Sequence, residues 1–264
     1  MKPGRRRPSS GGSDTNVGCP GAFTLVELLV AIGVITVLAA LLLSAIGQAR
    51  RLAVAAHCTS NLRQLGLGTQ MYWDEHGGRC FRYGGQVTNG GADYWFGWLG
   101  NGAEGGRAFD SRSGAIFPYT RDGVLRCPGL RDGVAGFKPK AKRSICSYGY
   151  NLNLSPPAGQ PAVQGSSVMS GTQTALFADA AQVNTFQFPA SPEHPLLEEF
   201  YYVSTREQTV HFRHRSRAQV VFMDGRVGRE EAEMSFLDLR VPGQRVGRLP
   251  TAILGELPRW SWAP

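Results

Sequence analysis

Two histidines and two aspartates, His211, His214, Asp179 and Asp224, are the side chains whose types best suit metal chemistry. Imidazole nitrogen and carboxylate oxygen together suit Zn²⁺ or a similar divalent ion. Their spacing argues against joint ligation, because residues three apart in an extended strand, such as His211 and His214, face opposite sides of it. The favoured expectation is structural, with no metal and no cofactor: His214 hydrogen-bonds backbone near a hairpin, and Asp224 with Gly225 makes the turn. Nucleophilic chemistry has less support. His57 and Cys58 are adjacent, and neighbours on a helix point in different directions. The chain holds no GxSxG elbow, HExxH pair or GxxxxGK[ST] loop. Glu198, Glu199, Glu230, Glu231 and Glu233 do not follow a calcium-loop pattern. The expected protein is not an enzyme.

The elements that must position these residues are short strands and turns. AQVVFM, then Asp224-Gly225, then RVGRE predicts two strands joined by a two-residue type I′ turn, since Asp-Gly supplies the positive φ angles such a turn demands. Further strands are expected at Val124–Cys127, Ser147–Leu152 and Thr174–Ala178. Twelve of the 34 glycines fall between Gly77 and Ala115, a stretch expected to be turns and short strands. Its aromatic cluster, Tyr94, Trp95, Phe96 and Trp98, reads as core anchors under loops. The segment from Val241 to Pro264, with four prolines and with Trp260 and Trp262 near its end, is expected to be irregular.

Of five cysteines, Cys19, Cys58, Cys80, Cys127 and Cys146, none form the close pairs of a zinc ribbon or a redox CxxC. If the N-terminal segment is removed, four remain, with three pairings allowed. The preferred one is Cys127 with Cys146, which closes a modest loop between two expected strands. The formal charge is +8, of which Lys2, Arg5, Arg6 and Arg7 against Asp14 supply +3 in the first 22 residues, leaving +5. The densest basic run, Lys138, Lys140, Lys142 and Arg143, reads as a solvated loop, and nucleic acid is not an expected partner.

The N-terminal region carries a different pattern. Phe23–Ile46 reads FTLVELLVAIGVITVLAALLLSAI, and the 19 residues from Leu28 onward hold no charge. As a helix they cover roughly 28 Å, close to the hydrocarbon thickness of a bilayer. A secretory signal would be shorter, with small residues after its apolar run, whereas Gly21 and Ala22 precede this one. Glu27 is anomalous, since a carboxylate at membrane depth costs about 2–3 kcal/mol or more. A new α-amine close by along the chain is the natural group to offset it. With no proline between Phe23 and Pro118, the helix can continue. Val54, Cys58, Leu62, Leu65, Thr69 and Tyr72 form a stripe on one helical face. Gly66 and Gly68 weaken the helix, and Gly77-Gly78 should end it.

GAFTLVELLVAIGVITVLAALLLSA resembles the prepilin cleavage and methylation motif of type IV pilins and type II secretion pseudopilins. The resemblance implies that a membrane peptidase cuts between Ala22 and Phe23, N-methylates Phe23, and leaves Glu27 as the fifth mature residue, needed for assembly. Gly is usual before the cut, and Ala22 departs from that. His214, nine residues, then Asp224-Gly225, with CTSNLRQLGLGTQMYWDEHGG, GAIFPYTRDGVLRCP, SYGYN and ALFAD, is similar to a bacterial pseudopilin-like family with a His-x9-Asp-Gly signature. Together these cover the chain from Ala22 to about Arg229. They imply an α+β, pilin-like fold in which a long N-terminal helix, transmembrane then amphipathic, packs on an antiparallel sheet with Gly-rich loops. The expected organisation is a leader over 1–22, a transmembrane half over 23–46, an amphipathic half over 47–76, an exported body over 77–240 and a tail over 241–264. The implied partners are prepilin peptidase, other pilin-like subunits, an inner-membrane assembly platform and the lipid bilayer. The implied placement is single-pass in the inner membrane, with a cytoplasmic N-terminus and a periplasmic body. The alternative is a membrane-anchored exported protein that binds glycan, metal or DNA and uses the helix as an anchor alone.

Overall fold

The computed structural model describes residues 23–88, 90–120, 123–130, 136–143, 145–155, 160–168 and 173–255. The expected leader and the last nine residues, with Trp260 and Trp262, lie outside them. The chain divides into two units, one ending at Ala49 and one beginning at Arg50.

Helix α1 spans Leu25–Glu75. In the first unit its side chains are exposed at every position from Phe23 to Ile46. The helix is long and apolar enough there to cross a membrane.

In the second unit the periodicity of apolar residues gives α1 a buried face. Cys58, Leu62, Leu65 and Thr69 from the expected stripe are buried, joined by Ala55, Asn61, Gly66, Gly68 and Trp73. Val54 and Tyr72 are half-buried at its margins. The helix runs through Gly66 because the glycine serves packing: a Cβ there would stand 2.9 Å from Val221 Cγ2 on the facing sheet. The helix stops at Gly77-Gly78, where the Gly78 amide donates to Trp73 O at 2.7 Å, satisfying one carbonyl of the last turn.

That sheet has five strands, in the order β10 (Tyr202–Val203), β6 (Tyr148–Asn151), β7 (Ala175–Asp179), β12 (Ala218–Phe222) and β13 (Val227–Glu230). All neighbours are antiparallel except the β10–β6 edge, which is parallel, so the sheet is mixed. β7 and β12 are buried on both faces. Phe177 and Val221 pack with α1 in one core with Tyr148, Tyr150, Trp95 and Phe96. Val220 and Phe222 point the other way, into a second core with Val203, Phe212 and Leu249. The general layout is therefore α+β.

The Gly-rich segment folds as an antiparallel meander, β1 (Gly84–Thr88), β2 (Gly91–Tyr94), β3 (Gly97–Gly100) and β4 (Phe109–Asp110). Trp95 and Phe96 leave β2 for the core, and Trp95 Nε1 donates to Tyr201 O at 2.8 Å. A three-stranded sheet orders β5 (Phe137–Lys138), β9 (Leu196–Glu198) and β8 (Gln182–Asn184). Up to Gly255 the tail is held against the body: β14 (Val246–Gly247) pairs with β11 (Val210–His211), and Leu249 and Leu254 are buried.

The expected strand at Val124–Cys127 is not formed. Those residues make turns, and Asn61 on α1 donates to Arg126 O at 2.8 Å, replacing a ladder partner.

Candidate functional site

At the N-terminal end, Phe23 is 73% exposed and leads directly into α1. Thr24 caps the helix. The Glu27 amide donates to Thr24 Oγ1 at 3.2 Å, while the Thr24 amide and hydroxyl donate to Glu27 Oε2 at 2.8 and 2.7 Å. This reciprocal arrangement is a capping box, and the Thr-x-x-Glu spacing that encodes it was available in the sequence. Glu27 thus accepts from the amide and the hydroxyl of its own capping residue in the isolated chain. Ala22 lies outside the described residues.

The His214–Asp224 stretch is built around β12. His214 precedes the strand, and Asp224 with Gly225 follows it. Five strand residues separate the two ends by roughly 16 Å, so these side chains cannot share a ligand. At the far end the hairpin forms as expected, but its loop is Met223-Asp224-Gly225 rather than a two-residue turn. Phe222 pairs with Arg226, through Phe222 N to Arg226 O at 2.8 Å, and the Gly225 amide donates to Phe222 O at 2.9 Å. Only Gly225 has positive φ, at 82°, and the Asp224 carboxylate accepts from the Arg226 amide at 2.9 Å. The extra residue matches the usual three-residue hairpin with glycine in the left-handed region.

The two-residue turn lies at the other end. His214 and Arg217 bridge each other around Arg215 and Ser216, whose φ angles are 56° and 63°. Neither is glycine, so this turn holds left-handed backbone at a cost of about 1 kcal/mol per residue. It delivers the His214 ring to the interior. The residue bonds backbone as expected, His214 N donating to Arg217 O at 3.0 Å, while its ring Nε2 lies 3.4 Å from Cys127 Sγ and 3.5 Å from Asp179 Oδ2. Burial pushes His214 below the usual imidazole range.

Of the four metal candidates, the structure brings together only His214 and Asp179. His211 Nε2 is engaged by Gln244 Oε1 at 2.9 Å, and Asp224 belongs to the distant turn. Asp179 is fully buried at the end of β7. Its Oδ2 accepts from the Gln219 amide at 2.8 Å, and its Oδ1 lies 3.6 Å from Arg213 Nε without a hydrogen bond. Burial raises its pKa, with Arg213 and His214 opposing.

The expected Cys127–Cys146 bridge is replaced by Cys58–Cys127, with 5.1 Å between Cα atoms. Cys58 lies on the buried stripe of α1 and faces the Cys127 turn, whereas Cys146 leads into β6 and donates its thiol to Tyr148 O at 3.1 Å. The link joins residues 69 apart, a distance that loop length alone would not suggest.

These groups do not form a hydrolytic relay. In such a relay the imidazole uses one nitrogen for the nucleophile and the other for the carboxylate. Here the sulfur and Asp179 approach the same nitrogen, and the sulfur is already bonded.

The basic run also departs from expectation. Lys138 and Lys140 are buried, because Glu104 and Glu198 neutralise them: Lys140 Nζ lies 2.9 Å from Glu198 Oε1, and Lys138 Nζ contacts Glu104. Asn184 Nδ2 adds a hydrogen bond to Glu198 at 2.8 Å. Burial opposes the Glu198 charge, but Lys140 and the surrounding donors bring its pKa down to about 2. Only Lys142 and Arg143 are exposed.

Searches of protein-family models, curated proteins and solved structures gave no match to this chain.

Proposed function

We propose that the chain is a pilin-like structural subunit. Prepilin peptidase would cut it between Ala22 and Phe23 and methylate the new amine. An inner-membrane platform would then assemble it with other pilin-like subunits into a type II secretion or type IV pilus-like filament. Before assembly the apolar half of α1 sits in the inner membrane, with the body beyond it on the periplasmic side.

The observation that carries this reading is the unbroken exposure of Phe23–Ile46 with a single carboxylate, Glu27, in the first turn. Leaving large apolar side chains in water forgoes about 1.5–3 kcal/mol each, so this segment requires lipid or other helices around it. Both are available to a subunit that moves from bilayer to filament. The capping box holds Glu27 while the chain is alone. In a bundle of such helices, a neighbour's N-terminal amine can neutralise it and set the axial register.

Glu27→Ala tests assembly apart from anchoring. The variant is expected to be cleaved normally, remain in the membrane and be missing from sheared filaments. Incorporation at the wild-type level would overturn the assembly role and leave the helix as an anchor alone.

A further inference from the structure

The Cys58–Cys127 bridge closes a pocket of donors larger than a disulfide needs. Cys58 Sγ, Cys127 Sγ and a His214 ring nitrogen all lie within 4.8 Å of one another, and all three residues are buried. The Gly129 amide donates to Cys127 Sγ at 3.3 Å, a contact that stabilises sulfur carrying negative charge. Beside the same ring nitrogen stands the buried Asp179, whose Oδ2 lies 3.5 Å from His214 Nε2 and whose Oδ1 has no hydrogen-bond partner among the described residues.

We infer that this is a redox-gated zinc site: with the bridge reduced, Cys58, Cys127, His214 and Asp179 enclose one Zn²⁺, and with the bridge closed the site excludes it. The inference is independent of how the N-terminus is processed.

The distances suit the ion. Tetrahedral zinc with bonds of about 2.3 Å to sulfur and 2.0 Å to nitrogen places those ligand atoms about 3.5 Å apart. Cys127 Sγ and His214 Nε2 are 3.4 Å apart, and His214 Nε2 and Asp179 Oδ2 are 3.5 Å apart. The two sulfurs must separate by about 2 Å when their bond breaks, and the Asp179 carboxylate, which stands outside the group formed by the two sulfurs and His214, must draw in towards them. Charge also balances. Two thiolates and the Asp179 carboxylate are offset by Zn²⁺ and the Arg213 guanidinium, which lies 3.6 Å from Asp179 Oδ1. The guanidinium is fixed there by hydrogen bonds from Nη2 to Ser147 O at 2.9 Å and Ala180 O at 2.7 Å, and the open oxygen of the buried carboxylate is accounted for.

The reduction step requires a dithiol. It supplies two electrons and two protons, the Sγ–Sγ bond breaks into two thiols, and the reductant becomes a disulfide. Each thiol then releases its proton to solvent as zinc binds. Metal and disulfide are alternative cross-links between the same two points, α1 and the Cys127 turn.

The test uses the full chain in detergent micelles. Oxidised and dithiothreitol-reduced samples, freed of reductant under nitrogen, are titrated with Co²⁺ and then with Zn²⁺. The reduced chain is expected to take up one Co²⁺ with a thiolate-to-cobalt charge-transfer band and the intense visible bands of a tetrahedral site. Zn²⁺ should displace it, and the oxidised chain should show neither band. His214→Gln keeps the bridge, so its oxidised fold can be verified by circular dichroism before reduction. It should weaken Zn²⁺ binding at least tenfold, while Cys80→Ala and Cys146→Ala leave binding unchanged. A reduced wild-type chain that takes up no metal overturns the site, as does undiminished binding in His214→Gln or a charge-transfer band that depends on Cys80 or Cys146.

Discussion

The two halves of α1 are both helical, yet they answer to different surroundings. Up to Ile46 the helix is apolar all round and exposed, and its one carboxylate is occupied by its own first turn. From Arg50 onward the helix is apolar on one face, and that face is buried against β12, β7 and the Cys127 turn. Gly33 and Gly66 show the same contrast. A Cβ at Gly33 would meet nothing within 4 Å, while one at Gly66 would press on Val221. One half is shaped to a partner within the chain, and the other is exposed along its whole length.

Core truncation should separate the halves most clearly. Leu62→Ala is expected to lower the stability of the body by about 2–5 kcal/mol, as removal of a fully buried leucine does. Leu38→Ala, at an exposed position, should leave it unchanged. Denaturant unfolding followed by tryptophan fluorescence reads both, and an equal loss from the two variants would erase the distinction.

Acid should act next, through Glu198 in the body. Its pKa is lowered from 4.5 to about 2 by the fold, so its stabilising contribution is fully present above about pH 4.5. It is lost as pH falls towards 2. Unfolding midpoints measured across that window should fall in the wild type and fall less steeply in Glu198→Gln. Parallel curves would mean that the lysine cluster does not hold this carboxylate as described.

The smallest contrast is at the glycines. Gly66→Ala gains about 1 kcal/mol of helix propensity but must displace Val221, a clash worth about 1–3 kcal/mol, for a net loss of about 1 kcal/mol. Gly33→Ala has no such clash and should not destabilise the body.

Local patterns were legible in the sequence and distant pairings were not. The helical stripe, the stop at Gly77-Gly78 and the hairpin around Asp224 follow from residues near one another. Cys58 was visible on the stripe, but its bridge to Cys127 depends on how the chain returns after 69 residues. Lys138 and Lys140 look solvated until Glu104, 34 residues before Lys138, and Glu198, 58 residues after Lys140, close on them. The turn at Arg215-Ser216 gave no signal, since neither residue favours positive φ. Asp-Gly marked the right hairpin but not its loop length, which the pairing of Phe222 with Arg226 decides.

The central claim concerns what happens at Phe23, and mass measurement with N-terminal sequencing of the protein recovered from membranes tests it directly. The mature chain is expected to begin at N-methyl-Phe23, with residues 1–22 removed. An intact Met1, or a terminus downstream of Ile46, would contradict it.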